Sequence, residues 1–285
     1  MPTLNIKNII SEIFSKKLTS VKYDIRSDKL TAPIRLAVVA DLHSVFYGEE
    51  QAELIEAIDA HNVDAVLLPG DIADDKTPLA GAEALFKGLA GKYPCYYVSG
   101  NNEYKSGRID EIKSMIRAYG AAVLEGTSSE IELNGQKIAV FGVDDPMLFG
   151  MENIRRKAPK GWIDQFESCK AKNRLLKEKF RDRERYSILV SHRPELFKYY
   201  RNSGFDLVVA GHAHGGQVRI PGLINGLLAP GQGLFPKYAG GAYELGETVM
   251  VVSRGLCVNR LPRIFNPPEL AIVEVRPGYL RNRSD

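Results

Sequence analysis

The chain has 285 residues, enough for one generous domain or two small ones and far too many for a scaffold held together by staples. Hydrophobic residues make up 44% and charged residues 26%, which excludes a disordered or fibrous protein. The net charge of +3 gives no strong signal for nucleic acid.

Three cysteines, Cys95, Cys169 and Cys257, without CxxC or CxxH spacing, argue against a disulfide framework or a zinc ribbon and suit a reducing compartment. No apolar run approaches the ~18 residues of a spanning helix, and the first residues lack the pattern of a signal peptide. The expectation is a cytoplasmic protein, peripheral at the inner membrane surface if its first segment meets lipid.

Residues 1–30 form an N-terminal amphipathic segment, with residues 31–285 read as a single domain. Over residues 6–18, Ile6, Ile9, Ile10, Ile13 and Phe14 fall at helical spacing beside Lys7, Lys16 and Lys17. Such a face suits docking on the protein's own core, its commoner use, or weak contact with an anionic membrane. Beyond residue 30, short Val, Ile and Leu runs alternate with helical periodicity. Strands are predicted over 34–40, 64–68, 93–98, 137–143, 186–190, 205–210, 248–252 and 270–275, and helices over 49–60, 79–90, 106–119, 163–180 and 194–200. The strand runs are nearly continuous in hydrophobicity, which points to sheets covered on both faces. Residues 151–185 are rich in Lys, Arg and Glu and read as a solvated helix or a cap. Residues 211–246 are rich in Gly and Pro and too long for an ordinary connector.

The residues with chemistry collect just beyond strand ends, the edge where layered α/β proteins bind ligands. Asp41 and His43 follow the first predicted strand, Asp71 the second through Gly70, and Asn101 the third through Gly100. His192 follows the fifth, and His212 and His214 the sixth through Gly211. Imidazole and carboxylate together suit zinc, manganese or iron. No cysteine lies near these motifs in the sequence, which argues against a thiolate site. Taken singly, each motif has an ordinary reading as turn chemistry or a surface histidine. Their joint occurrence at strand ends favours a metal centre.

Asp41-Leu42-His43, Gly70-Asp71-Ile72-Ala73-Asp74, Gly100-Asn101-Asn102-Glu103, Ser191-His192 and Gly211-His212-Ala213-His214 resemble the five ordered motifs of the calcineurin-like metallophosphoesterase superfamily. Residues 211–217, with Ser253-Arg254-Gly255 and Pro267-Pro268-Glu269, are similar to its bacterial YkuE-like subgroup. The resemblance implies an α+β fold, a four-layer α/β/β/α sandwich of two mixed sheets flanked by helices. It implies two divalent transition-metal ions, Mn, Fe or Zn, one on Asp41, His43, Asp71 and His214 and the other on Asp71, Asn101, His192 and His212. It also implies in-line attack of a metal-bridging hydroxide on a phosphodiester or pyrophosphate.

One position departs from that pattern. The superfamily usually has histidine where this chain has Asn102, and an amide cannot transfer a proton near neutral pH. Asn102 is therefore read as a catalytic position with weakened general-acid help. Arg193 is the candidate substrate contact, with Asp144, Asp145, Tyr104, Arg254 and Arg263 in a less certain shell. The expected substrate is a small-molecule or lipid-linked phosphodiester. Two other readings stay open: a metal-binding scaffold, favoured only by Asn102, and a nuclease, disfavoured by the charge.

Overall fold

The computed structural model describes residues 13–151, 157–179, 185–258 and 261–278. Two six-stranded mixed sheets pack face to face. The first contains β1 (Thr19–Ser27), β2 (Ile34–Val38), β3 (Ala65–Pro69), β4 (Cys95–Val98) and β5 (Ala122–Val123), together with β14 (Glu269–Pro277), in the order β1-β14-β2-β3-β4-β5. The second contains β6 (Thr127–Leu133), β7 (Gln136–Gly142), β8 (Tyr186–Val190), β9 (Leu207–Ala210), β12 (Gly241–Leu245) and β13 (Thr248–Val252), in the order β12-β13-β9-β8-β7-β6. A small hairpin, β10 (Leu228–Ala229) with β11 (Gly233–Leu234), stands apart from both.

The strands read as continuous apolar runs because alternate residues feed two different cores. On β8, Ile188 and Val190 enter the layer between the sheets, while Leu189 joins the outer layer with Phe141 and Val208. On β3, Ala65 and Leu67 point inward, while Val66 and Leu68 meet the helices outside. Those helices are α1 (Ala52–Asp59), α2 (Ala80–Leu89) and α4 (Ile109–Ala118), which place Leu54, Ile58, Leu85, Phe86, Ile112 and Ile116 against the first sheet. A short α3 (Asn101–Lys105) opens directly after β4. The charged stretch after residue 151 contributes α5 (Lys160–Lys179), and a one-turn α6 (Phe197–Tyr200) follows β8. α5 is neither a free solvated helix nor a cap: its buried Trp162, Phe166 and Cys169 cover the second sheet as the fourth layer. The expected four-layer α/β/β/α sandwich is the observed one.

All eight predicted strands and all five helices are present with ends shifted by a few residues, while β1, β5, β6, β10, β11, β12 and α3 were not anticipated. β1 matters for the domain reading. It pairs in parallel with β14 from Thr19↔Glu269 to Ser27↔Pro277, so the division expected at residue 30 falls between two strands of one sheet. The helix expected over 6–18 lies outside the described residues as far as residue 12. The carbonyl of Ile13 accepts a hydrogen bond of 2.8 Å from the Phe265 amide, which ties this part of the chain to the protein's own surface. Among the described residues no helix is long and apolar enough to cross a membrane.

Parallel pairing of β2, β3 and β4 in one sheet, and of β7, β8, β9 and β13 in the other, brings the C-terminal ends of these strands to one edge of the sandwich. The candidate residues all leave from that edge.

Candidate metal centre

Two sheets meet at this edge through hydrogen bonds that run between the motifs. The His212 amide, beyond β9, donates to both carboxylate oxygens of Asp41, beyond β2, at 3.0 Å each. His192 Nδ1, beyond β8, donates to the Pro69 carbonyl on β3 at 2.7 Å. The Asp41 amide bonds the Gly70 carbonyl and the His43 amide bonds the Asp71 carbonyl, at 3.1 and 3.0 Å. The turns are tight enough that Gly100 has no room for a side chain: a Cβ there would stand 2.2 Å from Asp71 Oδ1. Asp41, His43, Asp71, His212 and His214 all hold positive φ between 48° and 66°, a conformation costing non-glycine residues about 1–3 kcal/mol each. The surrounding ladder and loop bonds hold that strain in place.

All seven expected ligands are buried and converge. Asp71 Oδ2 lies 3.7 Å from His43 Nε2 and 3.4 Å from His192 Nε2, and His214 Nε2 lies 3.9 Å from Asp41 Oδ1. Donor atoms of Asp41, His43 and Asp71 fall within 4.8 Å of one another, as do those of Asp71, His192 and His212. Asn101 joins through its side-chain oxygen, which accepts from Arg193 Nη2 at 3.5 Å.

Ring tautomers are set by partners on the far side. His43 Nδ1 donates to Asp74 at 3.1 Å, leaving its Nε2 buried and without a hydrogen-bond partner. The Pro69 carbonyl accepts from Nδ1 of His192, which turns the Nε2 of that ring toward Asp71 and, at 3.1 Å, His212 Nδ1. Lone pairs and a carboxylate converging in a buried space call for positive charge between them. The donor set fits divalent ions.

Without an ion, protons take up part of that role. Burial pushes Asp41 up to about 6, against the pull of His192. Burial also opposes ionisation of Asp71, but His192 and His43 together hold its carboxyl well below the usual range. Burial would lower His192; Asp71 and then Asp41 outweigh it and raise the ring to about 10. His212 and His214 are held well below the ordinary value by burial, with Arg193 and His43 respectively adding repulsion.

Glu103 and Glu195 were given no role from the sequence. Glu103, fully buried, accepts backbone N–H bonds from Asp71 (3.0 Å), Ile72 (2.7 Å), Ala73 (3.0 Å) and Gly100 (2.9 Å), fixing the Asp71 turn to the start of α3. Its signal was its place three residues after Gly100, where a glutamate closes a capping box. Burial and Asp71 push its carboxyl up to about 7. Asp145 grips the Arg193 guanidinium twice, at 2.6 and 3.0 Å, and Glu195 takes a third bond at 3.3 Å. Arg193, expected to contact substrate, is therefore 1% exposed with its fork on Asp145, and it steadies Asn101. Asp144 is bound by Lys113 and Ser99, Arg254 by Glu269 and Tyr23, and Arg263 by backbone carbonyls. Tyr104 is half exposed. Asn102 turns its side-chain amide onto Asp71 Oδ2, and its backbone N–H reaches Asp71 Oδ1 at 2.8 Å. The expectation that cysteine is absent from the site is overturned: Sγ of Cys257 lies within 4.8 Å of His43 and His214 donor atoms.

A cavity of about 690 Å³ opens over the cluster, with Lys76, Lys105 and Arg193 among its charged lining and Met147, Pro230 and Leu261 among its apolar lining. The arrangement defines a metal-dependent phosphoesterase. Residues 34–216 match the calcineurin-like phosphoesterase family, to which the chain belongs. It is 30% identical over 250 residues to Bacillus subtilis YpbG, spanning 85% of this chain and 80% of that protein. It is 26% identical over 242 residues to the Bacillus subtilis metallophosphoesterase YkuE, spanning 83% and 76%. Among solved structures, the fold is similar to Haemophilus influenzae NAD nucleotidase (TM-score 0.51, 16% identity, 79% of this chain) and to a putative 5'-nucleotidase from Staphylococcus aureus (0.51, 11%, 89%). The chain spans only 45% and 57% of those two chains.

Two outcomes follow from this geometry. Glu103→Ala strips one acceptor from four buried N–H groups and should cost about 3 kcal/mol or more in urea unfolding of the metal-free protein; a loss under about 0.5 kcal/mol would contradict the role given to it. Because His192 stays protonated at neutral pH and must release that proton to bind an ion, divalent-metal affinity should rise with pH up to about 10, by as much as about tenfold per unit for one proton. Competition titrations at a series of pH values check this, and a flat profile would refute it.

Proposed function

We propose that the chain hydrolyses a phosphodiester or pyrophosphate bond with two divalent ions, Mn, Fe or Zn. Asp41, His43, Asp71 and His214 would hold one, and Asp71, Asn101, His192 and His212 the other. One observation carries this reading: a single carboxylate oxygen, Asp71 Oδ2, faces His43 at 3.7 Å and His192 at 3.4 Å, so one group serves two donor sets. Such ions, when bound, supply Lewis acidity to phosphoryl oxygens and lower the pKa of water.

The chain's own residues do the rest. Asp41 and Asp71 offset only part of the charge two divalent ions bring, which leaves the site attractive to an anionic phosphoester. Lys76 and Lys105 on the cavity rim add to that attraction. Arg193, held on Asp145, positions Asn101 and lines the cavity with its guanidinium beside the cluster. Asn102 steadies Asp71 and has no proton to give a leaving group. Turnover should accordingly depend on how well the departing oxygen bears negative charge.

A lipid-linked substrate is supported by a further observation. Leu223, Leu234, Phe235 and Leu261 are each more than half exposed, and they lie on the loops and hairpin whose Pro230 and Leu261 line the cavity. Single exposed apolar residues need no explanation, whereas several on the segments that contribute to the cavity wall suit an amphiphile.

General-acid catalysis is worth about 10²–10⁴-fold, so Asn102→His should raise turnover of alkyl phosphodiesters far more than of bis(p-nitrophenyl) phosphate. Equal gains on both, or none, would remove the leaving-group argument. The decisive experiment for the reading as a whole is metal content by mass spectrometry alongside hydrolysis with and without added Mn²⁺, with about two ions per chain and metal-dependent turnover expected. For the lipid reading, a Leu234→Glu, Phe235→Glu double variant should lose binding to phosphatidylglycerol vesicles while keeping turnover of bis(p-nitrophenyl) phosphate. Absence of vesicle binding by the unaltered protein would count against it.

A further inference from the structure

We propose that Cys257 is a sulfur ligand to the ion held by Asp41, His43, Asp71 and His214. This rests on the assignment of those residues as metal ligands and adds a donor that lies outside the five motifs.

Cys257 arrives on the segment that follows β13, and that segment is fastened on both sides. The Ser253 amide bonds the Ala210 carbonyl at 2.9 Å, the Leu256 amide bonds the Ala40 carbonyl at 3.0 Å, and the Glu269 amide bonds the Gly255 carbonyl at 3.0 Å. Tyr47 donates its hydroxyl to the Leu256 carbonyl, and Arg263 donates to the Gly255 carbonyl at 3.1 Å. The backbone passes so near the site that a Cβ at Gly255, where φ is +71°, would lie 2.7 Å from Asp41 Oδ2. Two residues later, Cys257 Sγ and one ring nitrogen each of His43 and His214 all fall within 4.8 Å of one another.

That bound leaves the three atoms within reach of one ion. Metal–sulfur and metal–nitrogen bonds of about 2.3 and 2.0–2.1 Å put ligand atoms roughly 3.5 Å apart in tetrahedral geometry and about 4.4 Å apart when opposite. His43 is 1% exposed, and its Nε2 has no hydrogen-bond partner while Nδ1 is held by Asp74, so Nε2 is the nitrogen of that ring left to meet an ion. Cys257 is itself buried, and Cys95 and Cys169 sit on β4 and α5, each buried in a separate apolar cluster. The ordinary reading of a buried cysteine is a small apolar filler. A filler, however, would not explain a sulfur set against two imidazole nitrogens. A thiolate donor would shift the site's preference toward Zn²⁺, Fe²⁺ or Co²⁺ over Mg²⁺ and Mn²⁺.

The test is spectroscopic and needs no substrate. Full-length protein stripped with a chelator and reloaded with Co²⁺ should show a strong near-ultraviolet sulfur-to-cobalt charge-transfer band. Cys257→Ser and Cys257→Ala should lose that band while keeping the visible ligand-field bands and the far-ultraviolet circular dichroism of the unaltered protein. Because removal even of an outer partner typically costs ~10–100-fold in metal affinity, one cobalt should bind at least about tenfold more weakly in both variants. Cobalt bound with no charge-transfer band, or a band that persists in Cys257→Ser, would overturn the assignment of Cys257 and leave the seven other ligands standing. Failure of the unaltered protein to bind cobalt would overturn the metal-centre reading and this inference with it.

Discussion

Two carboxylates, Asp41 and Asp71, are buried almost completely at the meeting edge of two sheets, and most of what surrounds them answers to that fact. Removing an ionised carboxylate from water costs several kcal/mol unless hydrogen bonds and opposite charge replace the lost solvation. Backbone N–H groups from the opposite sheet serve Asp41, the amide groups of Asn102 serve Asp71, and imidazoles surround both. The left-handed turns follow from the same demand, because only a sharp reversal after each strand brings a backbone amide and a side chain to one point. A cation of fixed charge is the natural completion of such a pocket.

Asn102 bears on the chemistry through the same constraint. Placed beside Asp71, an imidazole would be drawn toward the protonated form by the carboxylate, whereas an amide brings a donor with no titration at all. What the structure shows at this position is a donor that serves the Asp71 carboxylate. Arg193 makes a parallel point. Its guanidinium is held by Asp145 and reaches Asn101 while still lining the cavity, so the residue marked in the sequence as a phosphate contact is also tied into the packing beneath the site.

The sequence made the centre of the fold legible and hid its margins, for reasons visible in particular strands. β3 and β8 feed apolar residues to cores on both faces and stand out as hydrophobic runs. β1, β6 and β12 lie at sheet edges with one face toward solvent, so each alternates apolar with polar residues and blends into the loops. The clustered Asp, Asn and His residues were legible because strand-end geometry ties each motif to a short stretch of chain. Glu103 was less so, since its work is done on backbone groups that leave no mark in sequence. Cys257 escaped because nothing local links it to His43; only the packing of the segment after β13 against Asp41 brings the two together.

The position of β14 sets an order on events in the life of the molecule. That strand lies between β1 and β2 and pairs with both, so the first sheet stays open until residues 269–277 have been synthesised. Pairing β1 with a strand some 250 residues later in sequence carries a large loop-closure cost, which slows folding. A nascent chain extended only as far as β13 would expose β1 and β2 as unpaired edges and would lack the segment that closes over Asp41.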